Sequence, residues 1–217
     1  MPLVIRGPGS AAHQLGAQHS QSLEAWFCHV PGLKVIAPAT PHDAKGLLKS
    51  AIRDPDPVIF IEAQLLYSTK GEVQEGEFTI PIGVAEVKRT GRDVTIVAYS
   101  KMLLLALEAA EALSREGVEA EVIDPRTLKP LDLRTIVASV KKTGRLVIVE
   151  EGWHFCGLGA QIAESVYSTA FDSLDGPIRR VTGEDVPMPY CRPLEDAAIP
   201  DLPRVIGKQG LARDLVG

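Results

Sequence analysis

The chain has 217 residues, of which 45% are hydrophobic and 24% charged, and these proportions exclude a disordered protein. A formal net charge of −5 at pH 7, with no block of Lys or Arg, argues against nucleic-acid binding, and no apolar run approaches the roughly 20 residues of a membrane span. Three widely spaced cysteines and the lack of a secretory signal favour a reducing compartment, either the cytoplasm or the interior of an organelle.

The first third of the chain predicts a strand–helix–strand unit that follows a glycine-rich loop. Residues 4–5 are typical of the end of a strand, and residues 6–12 of the loop. Residues 33–37 and 58–61 are short apolar strands, and the helix between them starts at Thr40-Pro41, a cap followed by a proline. Two strands joined by a helix with short connections imply a parallel sheet that is covered on both faces.

The rest of the chain predicts a linker and then a second α/β unit. Residues 63–85 lack clear periodicity, and we predict a linker there. From residue 93 onwards, strands alternate with helices, which favours an open α/β sheet; the strands are at 94–99, 120–124, 146–150 and 178–182, and the helices at 102–116, 133–142 and 159–169. Residues 202–217 predict only a short or frayed helix, because two glycines interrupt the apolar pattern.

His19 is the first candidate for chemistry. It lies in Gln18-His19-Ser20-Gln21, where neighbouring hydrogen-bonding side chains could fix the tautomer of the imidazole. An unperturbed pKa of about 6.5 lets a histidine hold or release a proton near neutrality. The alternative is that Ser20 caps the N-terminus of a helix and His19 is merely polar and exposed.

Eight motifs then occur in order along the chain: Arg6-Gly7-Pro8, Gln18-His19-Ser20-Gln21, Pro31-Gly32-Leu33-Lys34-Val35, Asp43-Ala44-Lys45-Gly46-Leu47, Val122-Ile123-Asp124, Arg126-Thr127-Leu128-Lys129-Pro130, Val149-Glu150-Glu151-Gly152 and Asp185-Val186-Pro187-Met188-Pro189-Tyr190. Together they resemble the beta subunit of the pyruvate dehydrogenase component of 2-oxo acid dehydrogenase complexes, a thiamine-diphosphate enzyme. The resemblance covers nearly the whole chain.

The resemblance implies an α/β fold with parallel-rich sheets and helices on both faces. Residues 1–62 would be the C-terminal half of a thiamine-diphosphate pyrimidine-binding domain, residues 63–85 a linker, and residues 86–217 a transketolase C-terminal-like domain. The family's beta subunit extends well upstream of the position of Met1. We therefore expect the glutamate that hydrogen-bonds the aminopyrimidine ring of the cofactor to lie upstream, and no cofactor-binding residue can be assigned here.

The resemblance also implies an activity, namely the oxidative decarboxylation of pyruvate and the reductive acetylation of lipoamide. The partners would be an alpha subunit, in an α2β2 heterotetramer, and the lipoyl acyltransferase core of the complex. Thiamine diphosphate would be shared with the alpha subunit, magnesium held by it, and His19 would act in proton and acyl transfer. The alternatives are an acetoin or branched-chain 2-oxo acid dehydrogenase, or a truncated, non-catalytic assembly module; this chain alone is expected to be inactive. The location would be the bacterial cytoplasm or the mitochondrial matrix.

A structural potassium ion is the last implication of the resemblance. Its ligands would be main-chain oxygens of Leu3, Ala51, Ile52, Asp54 and Asp56. The final carbonyl groups of a helix lack partners within the helix and carry partial negative charge, which suits a cation. The alternative is that the two aspartates only shape a proline-rich turn.

Overall fold

Two β-sheets with flanking helices form the structure, a computed structural model that describes residues 1–11 and 14–207. The first sheet has the order β1-β3-β2-β7 and contains β1 (Val4–Gly9), β2 (Lys34–Ile36), β3 (Val58–Ala63) and β7 (Thr127–Lys129). The second has the order β4-β6-β5-β8-β9 and contains β4 (Glu86–Arg89), β5 (Val94–Ala98), β6 (Ala120–Asp124), β8 (Leu146–Trp153) and β9 (Arg179–Gly183). The helices are α1 (Gly16–His19), α2 (Glu24–His29), α3 (Pro41–Arg53), α4 (Lys101–Arg115), α5 (Leu133–Thr143), α6 (Leu158–Ala170), α7 (Arg192–Ala198) and α8 (Leu202–Ile206).

The stretch that was predicted to be a glycine-rich loop is largely strand. β1 runs parallel to β3 from Val4, opposite Val58, to Gly9, opposite Ala63. The proline at position 8 is tolerated because β1 lies at the edge of the sheet. A Cβ atom on Gly9 would lie 2.9 Å from Ile61 Cγ2, so the glycine permits the close approach of the two strands. The loop prediction was wrong because pairing with β3 overrides the local composition.

A strand from the later part of the chain completes the first sheet. β7 pairs antiparallel with β2, with Lys129 opposite Val35 and Thr127 opposite Ile36. Neither β7 nor the antiparallel edge strand β4 was predicted from the sequence. Both are short, and β7 has only three residues, so neither shows enough alternation to be recognised without its partner.

The segment at 63–85 contains a 3-10 helix (Gln64–Ser68) and a packed apolar end. Ile80 is 6% exposed and contacts the core beneath α3, and Phe78 and Ile82 pack against the same cluster. A Cβ atom on Gly46 of α3 would lie only 2.6 Å from the Ile80 side chain. This segment therefore covers α3, and the division of the chain at 62 and 85 stays a prediction.

The second sheet is buried on both faces, as the apolar strands predicted. Ile96 of β5 packs with α4, whereas its neighbour Val97 faces the cluster that contains Ile136 of α5 and Ile162 of α6. Strands β6, β5, β8 and β9 are parallel, which confirms the predicted α/β architecture with helices on both faces. The same cluster includes Ile59 of β3, so the two sheets share one core.

The C-terminal part contains two short helices, of which α7 was not predicted. Thr40 caps α3 as expected, since its side chain accepts a hydrogen bond from Asp43 N at 3.1 Å. The predicted helix at 202–217 is present as α8, and the residues beyond 207 lie outside the described part of the chain. Within residues 1–11 and 14–207, no helix is long and apolar enough to cross a membrane.

Candidate active site around His19

His19 is the last residue of the four-residue helix α1, and its side chain is exposed. Ser20 follows as the residue that ends this helix, with its backbone N–H donating to Gly16 O at 3.1 Å. The proposal that Ser20 caps the start of a helix is therefore wrong. Ser20 is 1% exposed, and its hydroxyl has no hydrogen-bonding partner among the described residues.

The loop that carries His19 is closed on itself by backbone contacts. We call the stretch from Ser10 to Ser22, described at 10–11 and 14–22, the His19 loop. Ser10 N donates to Gln21 O at 3.0 Å, and the Gln21 side-chain amide donates to Ala17 O. Since both ends are joined at the end of β1, the imidazole is presented at the carboxyl edge of the first sheet. In open α/β sheets, this edge is where ligands bind.

The C-terminal part of the chain holds the His19 loop from the other side. Both carboxylate oxygens of Glu195 accept from Gln14 N, at 3.2 and 3.1 Å. Gly16 has φ +67°, and a Cβ atom there would lie 2.9 Å from the ring of Tyr190. A glycine is thus required at position 16 both for the left-handed backbone and for the aromatic contact. Neither contact could be predicted from the sequence, because the two residues of each contact are far apart along the chain.

A buried polar cluster lies beside the loop, between α2 and β8. The Tyr99 hydroxyl donates to Glu24 Oε1 at 3.0 Å, with Glu150 Oε2 at 3.4 Å as the other acceptor. Glu150 is fully buried and is held by Arg180 Nη2 at 2.7 Å and by Gly159 N at 2.9 Å. Burial raises the pKa of Glu24 above the usual value for a glutamate and raises that of Tyr99 well above 10.

The cluster lines a cavity of about 540 Å³ with an aromatic mouth. Trp26 and Phe155 at this mouth are 73% and 78% exposed, and Trp153 also lines the cavity. His19 is not among the lining residues of this cavity. The sequence signal for the floor was the pair Glu150-Glu151 inside an otherwise apolar strand, which stood in a recognised motif but was given no role.

The five residues predicted to hold potassium lie near one another. Asp54 ends α3, and its N–H donates to Ala51 O at 3.2 Å, while Leu3 O accepts from Val58 N at 2.8 Å just after Asp56-Pro57. The carboxylates of this turn are already neutralised by Lys34, whose Nζ lies 2.6 Å from Asp54 Oδ1 and 3.1 Å from Asp56 Oδ2. The potassium site stays a prediction that depends on main-chain oxygens.

The described residues offer two polar groups that fit a thiamine-diphosphate site. They offer an exposed imidazole and, beside it, a buried hydroxyl without a partner. Residues 1–11 and 14–207 contain no group of three or more His, Cys, Asp or Glu side chains that could hold a metal ion.

Comparison with known proteins shows to which protein family the chain belongs. The family described as "Transketolase, pyrimidine binding domain" matches residues 1–70, and "Transketolase, C-terminal domain" matches residues 83–205. Since the second match covers more than half of the chain, the protein belongs to the transketolase C-terminal domain family. A solved structure named "Split gene transketolase, inactive beta4 tetramer" has a TM-score of 0.76 and 31% identity, covering 94% of this chain and 63% of that chain.

The curated relatives are pyruvate dehydrogenase E1 beta subunits, as the eight motifs predicted. The chain is 52% identical to subunit beta-2 of Oryza sativa subsp. japonica over 210 residues, which cover 95% of this chain and 56% of that protein. It is 50% identical to the subunit of Rhizobium meliloti over 206 residues (94% and 45%), and 53% identical to that of Rickettsia felis over 205 residues (94% and 63%). The chain thus spans about half to three fifths of the length of these relatives.

Proposed function

We propose that this chain acts as the beta-type subunit of a thiamine-diphosphate-dependent pyruvate dehydrogenase. The reaction is the oxidative decarboxylation of pyruvate followed by the reductive acetylation of lipoamide. The observation that carries this proposal is the exposed His19, which a closed loop presents at the carboxyl edge of the first sheet. About 50% identity to subunits that bear this name supports it.

His19 is the residue to which we assign chemistry. When bound, thiamine diphosphate supplies the carbon that accepts the acyl group from the 2-oxo acid. The imidazole of His19 holds or releases a proton at that site, a role in which histidine side chains commonly act near neutral pH. Its exposure leaves the ring accessible to a cofactor and to a lipoyl group that arrive from outside this chain.

The rest of the site is assigned to partners. An alpha subunit would share thiamine diphosphate and hold magnesium, in an α2β2 heterotetramer that docks on a lipoyl acyltransferase core. We also propose that residues 1–62 and 86–217 act as separate domains joined by 63–85. A structural potassium ion would lie on the main-chain oxygens of Leu3, Ala51, Ile52, Asp54 and Asp56.

The test is a reconstitution of the full natural protein with its alpha partner. The complex is given thiamine diphosphate, magnesium and a free lipoyl domain, and acetylation of that domain is measured by mass. We expect acetylation with pyruvate, and little or none with acetoin or with a branched-chain 2-oxo acid. Preference for one of the other substrates would replace pyruvate in the proposal, and no turnover with any of them would favour a non-catalytic assembly role.

A further inference from the structure

Glu151 binds both flanks of the His19 loop. It lies in β8 and is 6% exposed. Its Oε1 atom accepts a hydrogen bond from the backbone N–H of Ala11, which precedes α1, and another from Ser22 Oγ at 3.3 Å, which follows it. One carboxylate oxygen from the second sheet therefore fixes the two points between which α1 and His19 are suspended.

Lys101 binds the backbone carbonyl of Ala11. It is the first residue of α4 and is 8% exposed, and its ammonium group donates to Ala11 O. The same Nζ atom lies 2.5 Å from Glu151 Oε2. Both backbone polar groups of Ala11, which is fully buried, are thus held by the two members of one buried ion pair. Ser100, at φ +52°, forms the turn that precedes Lys101.

The energetics of this buried ion pair indicate that it fixes the position of the loop more than it stabilises the fold. Taking two charges out of water is costly, and a buried ion pair often contributes no more to stability than apolar residues of the same volume. Burial lowers the pKa of Lys101 to about 8, opposed by the negative charges of Glu195 and Glu24. Neutral hydrogen bonds would be enough to satisfy a buried backbone segment. Hydrogen bonds to charged groups are shorter and stronger, so their use here indicates that the position of the backbone must be closely fixed.

We propose that the Lys101–Glu151 ion pair is a positioning device for His19, and this rests on the function proposed for His19 above. The pair fixes the backbone at Ala11 and Ser22, and so sets the height and direction from which α1 presents the imidazole. If the ion pair only joined the two halves of the chain, its loss would not change how well α1 is ordered.

The variants separate these two roles. Glu151→Ala removes both hydrogen bonds to the flanks, whereas Glu151→Gln keeps an acceptor for Ala11 N and Ser22 Oγ. Lys101→Met removes the donor to Ala11 O. The matched control is Lys88→Met, because Lys88 is also a largely buried lysine that pairs across the halves, with Asp43 at 2.7 Å. Its ion-pair partners in the described part of the chain, Asp43 and Glu86, lie outside the His19 loop.

The experiment measures hydrogen–deuterium exchange in the peptide that covers residues 14–22, using the full protein with its alpha partner. We expect exchange about tenfold faster in Glu151→Ala and Lys101→Met, unchanged exchange in Lys88→Met, and intermediate exchange in Glu151→Gln. In the same samples, kcat should fall at least about tenfold in Glu151→Ala with KM for pyruvate within about twofold, and recover in part in Glu151→Gln.

Unchanged exchange at 14–22 in Glu151→Ala, or an equal increase in Lys88→Met, would overturn the proposal. If Glu151→Ala does not fold, Glu151→Gln and Lys101→Met carry the same exchange test. The exchange result does not depend on the reaction. Normal turnover in a His19 variant would therefore contradict the proposed function but not the proposal that the ion pair fixes the His19 loop. Unchanged exchange would contradict only the second proposal.

Discussion

Tyr99 donates its hydroxyl hydrogen to Glu24 at 3.0 Å, and this bond joins the His19 half of the chain to the second sheet. Glu24 begins α2, directly after the His19 loop, and Tyr99 directly follows β5. Both residues are almost fully buried, so a polar group left without its partner here carries a desolvation cost. The two halves are therefore linked by a polar contact next to the candidate site as well as by their shared apolar core.

Tyr99→Phe should destabilise the protein by about 1–3 kcal/mol in urea-induced unfolding, because the buried Glu24 carboxyl loses its donor. The control is Tyr167→Phe, since Tyr167 is 56% exposed on α6 and its ring packs on Phe171. That change should shift the free energy of unfolding by less than about 0.5 kcal/mol. Equal effects of the two substitutions would contradict the importance of the Tyr99–Glu24 bond.

Asp124 should make stability fall as the pH rises. Burial raises the pKa of Asp124 from 3.8 to about 7, and the N–H of Arg126, at 2.8 Å from Oδ1, only partly offsets this. The folded carboxyl binds its proton more tightly than the unfolded one. Its contribution is therefore fully present below about pH 3.8 and lost as the pH rises through about 7. The Tm of Asp124→Asn minus the Tm of the parent protein should therefore increase as the pH is raised from about 4 to about 7.

Asp132→Asn is the control of opposite sign for this pH series. Burial acts to raise the pKa of Asp132, but hydrogen bonds from Thr135 and from Ala85 N outweigh it and lower the pKa below 3.8. Its contribution is present above pH 3.8 and lost on acidification, so this variant should lose Tm relative to the parent protein at neutral pH. If the Tm difference of Asp124→Asn does not change with pH, the assignment of a raised pKa is wrong.

Ile80 should anchor the 63–85 segment over α3. Ile80→Ala is expected to lower the free energy of unfolding by about 2–5 kcal/mol, and to increase proteolytic cleavage within residues 70–77. Gly46→Ala should have the same effect on cleavage, since the new Cβ atom would lie 2.6 Å from the Ile80 side chain. Gly7→Ala is the matched control, because no atom lies within 4 Å of a Cβ there. Cleavage that is equal in all three variants would show that the segment is not anchored in this way.

The sequence predicted those elements whose burial is visible locally. The second sheet was recognised because β5, β6 and β8 are mostly apolar runs that alternate with amphipathic helices, and α3 because Thr40 and Pro41 mark its start. β4 and β7 were missed because short strands depend on partners from elsewhere in the chain.

The candidate site was predictable only in part, for the same reason. His19 was proposed from its motif, and nothing local marks the residues that hold its loop. Ala11 and its acceptor Glu151 are 140 positions apart, and Lys101 is 90 positions from Ala11. A sequence shows that a charge lies in an apolar stretch, but it does not show which distant backbone group that charge binds.

The most direct test of the account is the turnover of His19→Ala in the full protein assembled with its alpha partner. We expect acetylation of a lipoyl domain from pyruvate to fall by about 100-fold or more, because a proton-transferring side chain is lost. Assembly with the alpha partner and Tm should stay unchanged, as they should in the control His154→Ala, whose side chain is also exposed. Near-normal acetylation by a correctly assembled His19→Ala complex would contradict the central claim.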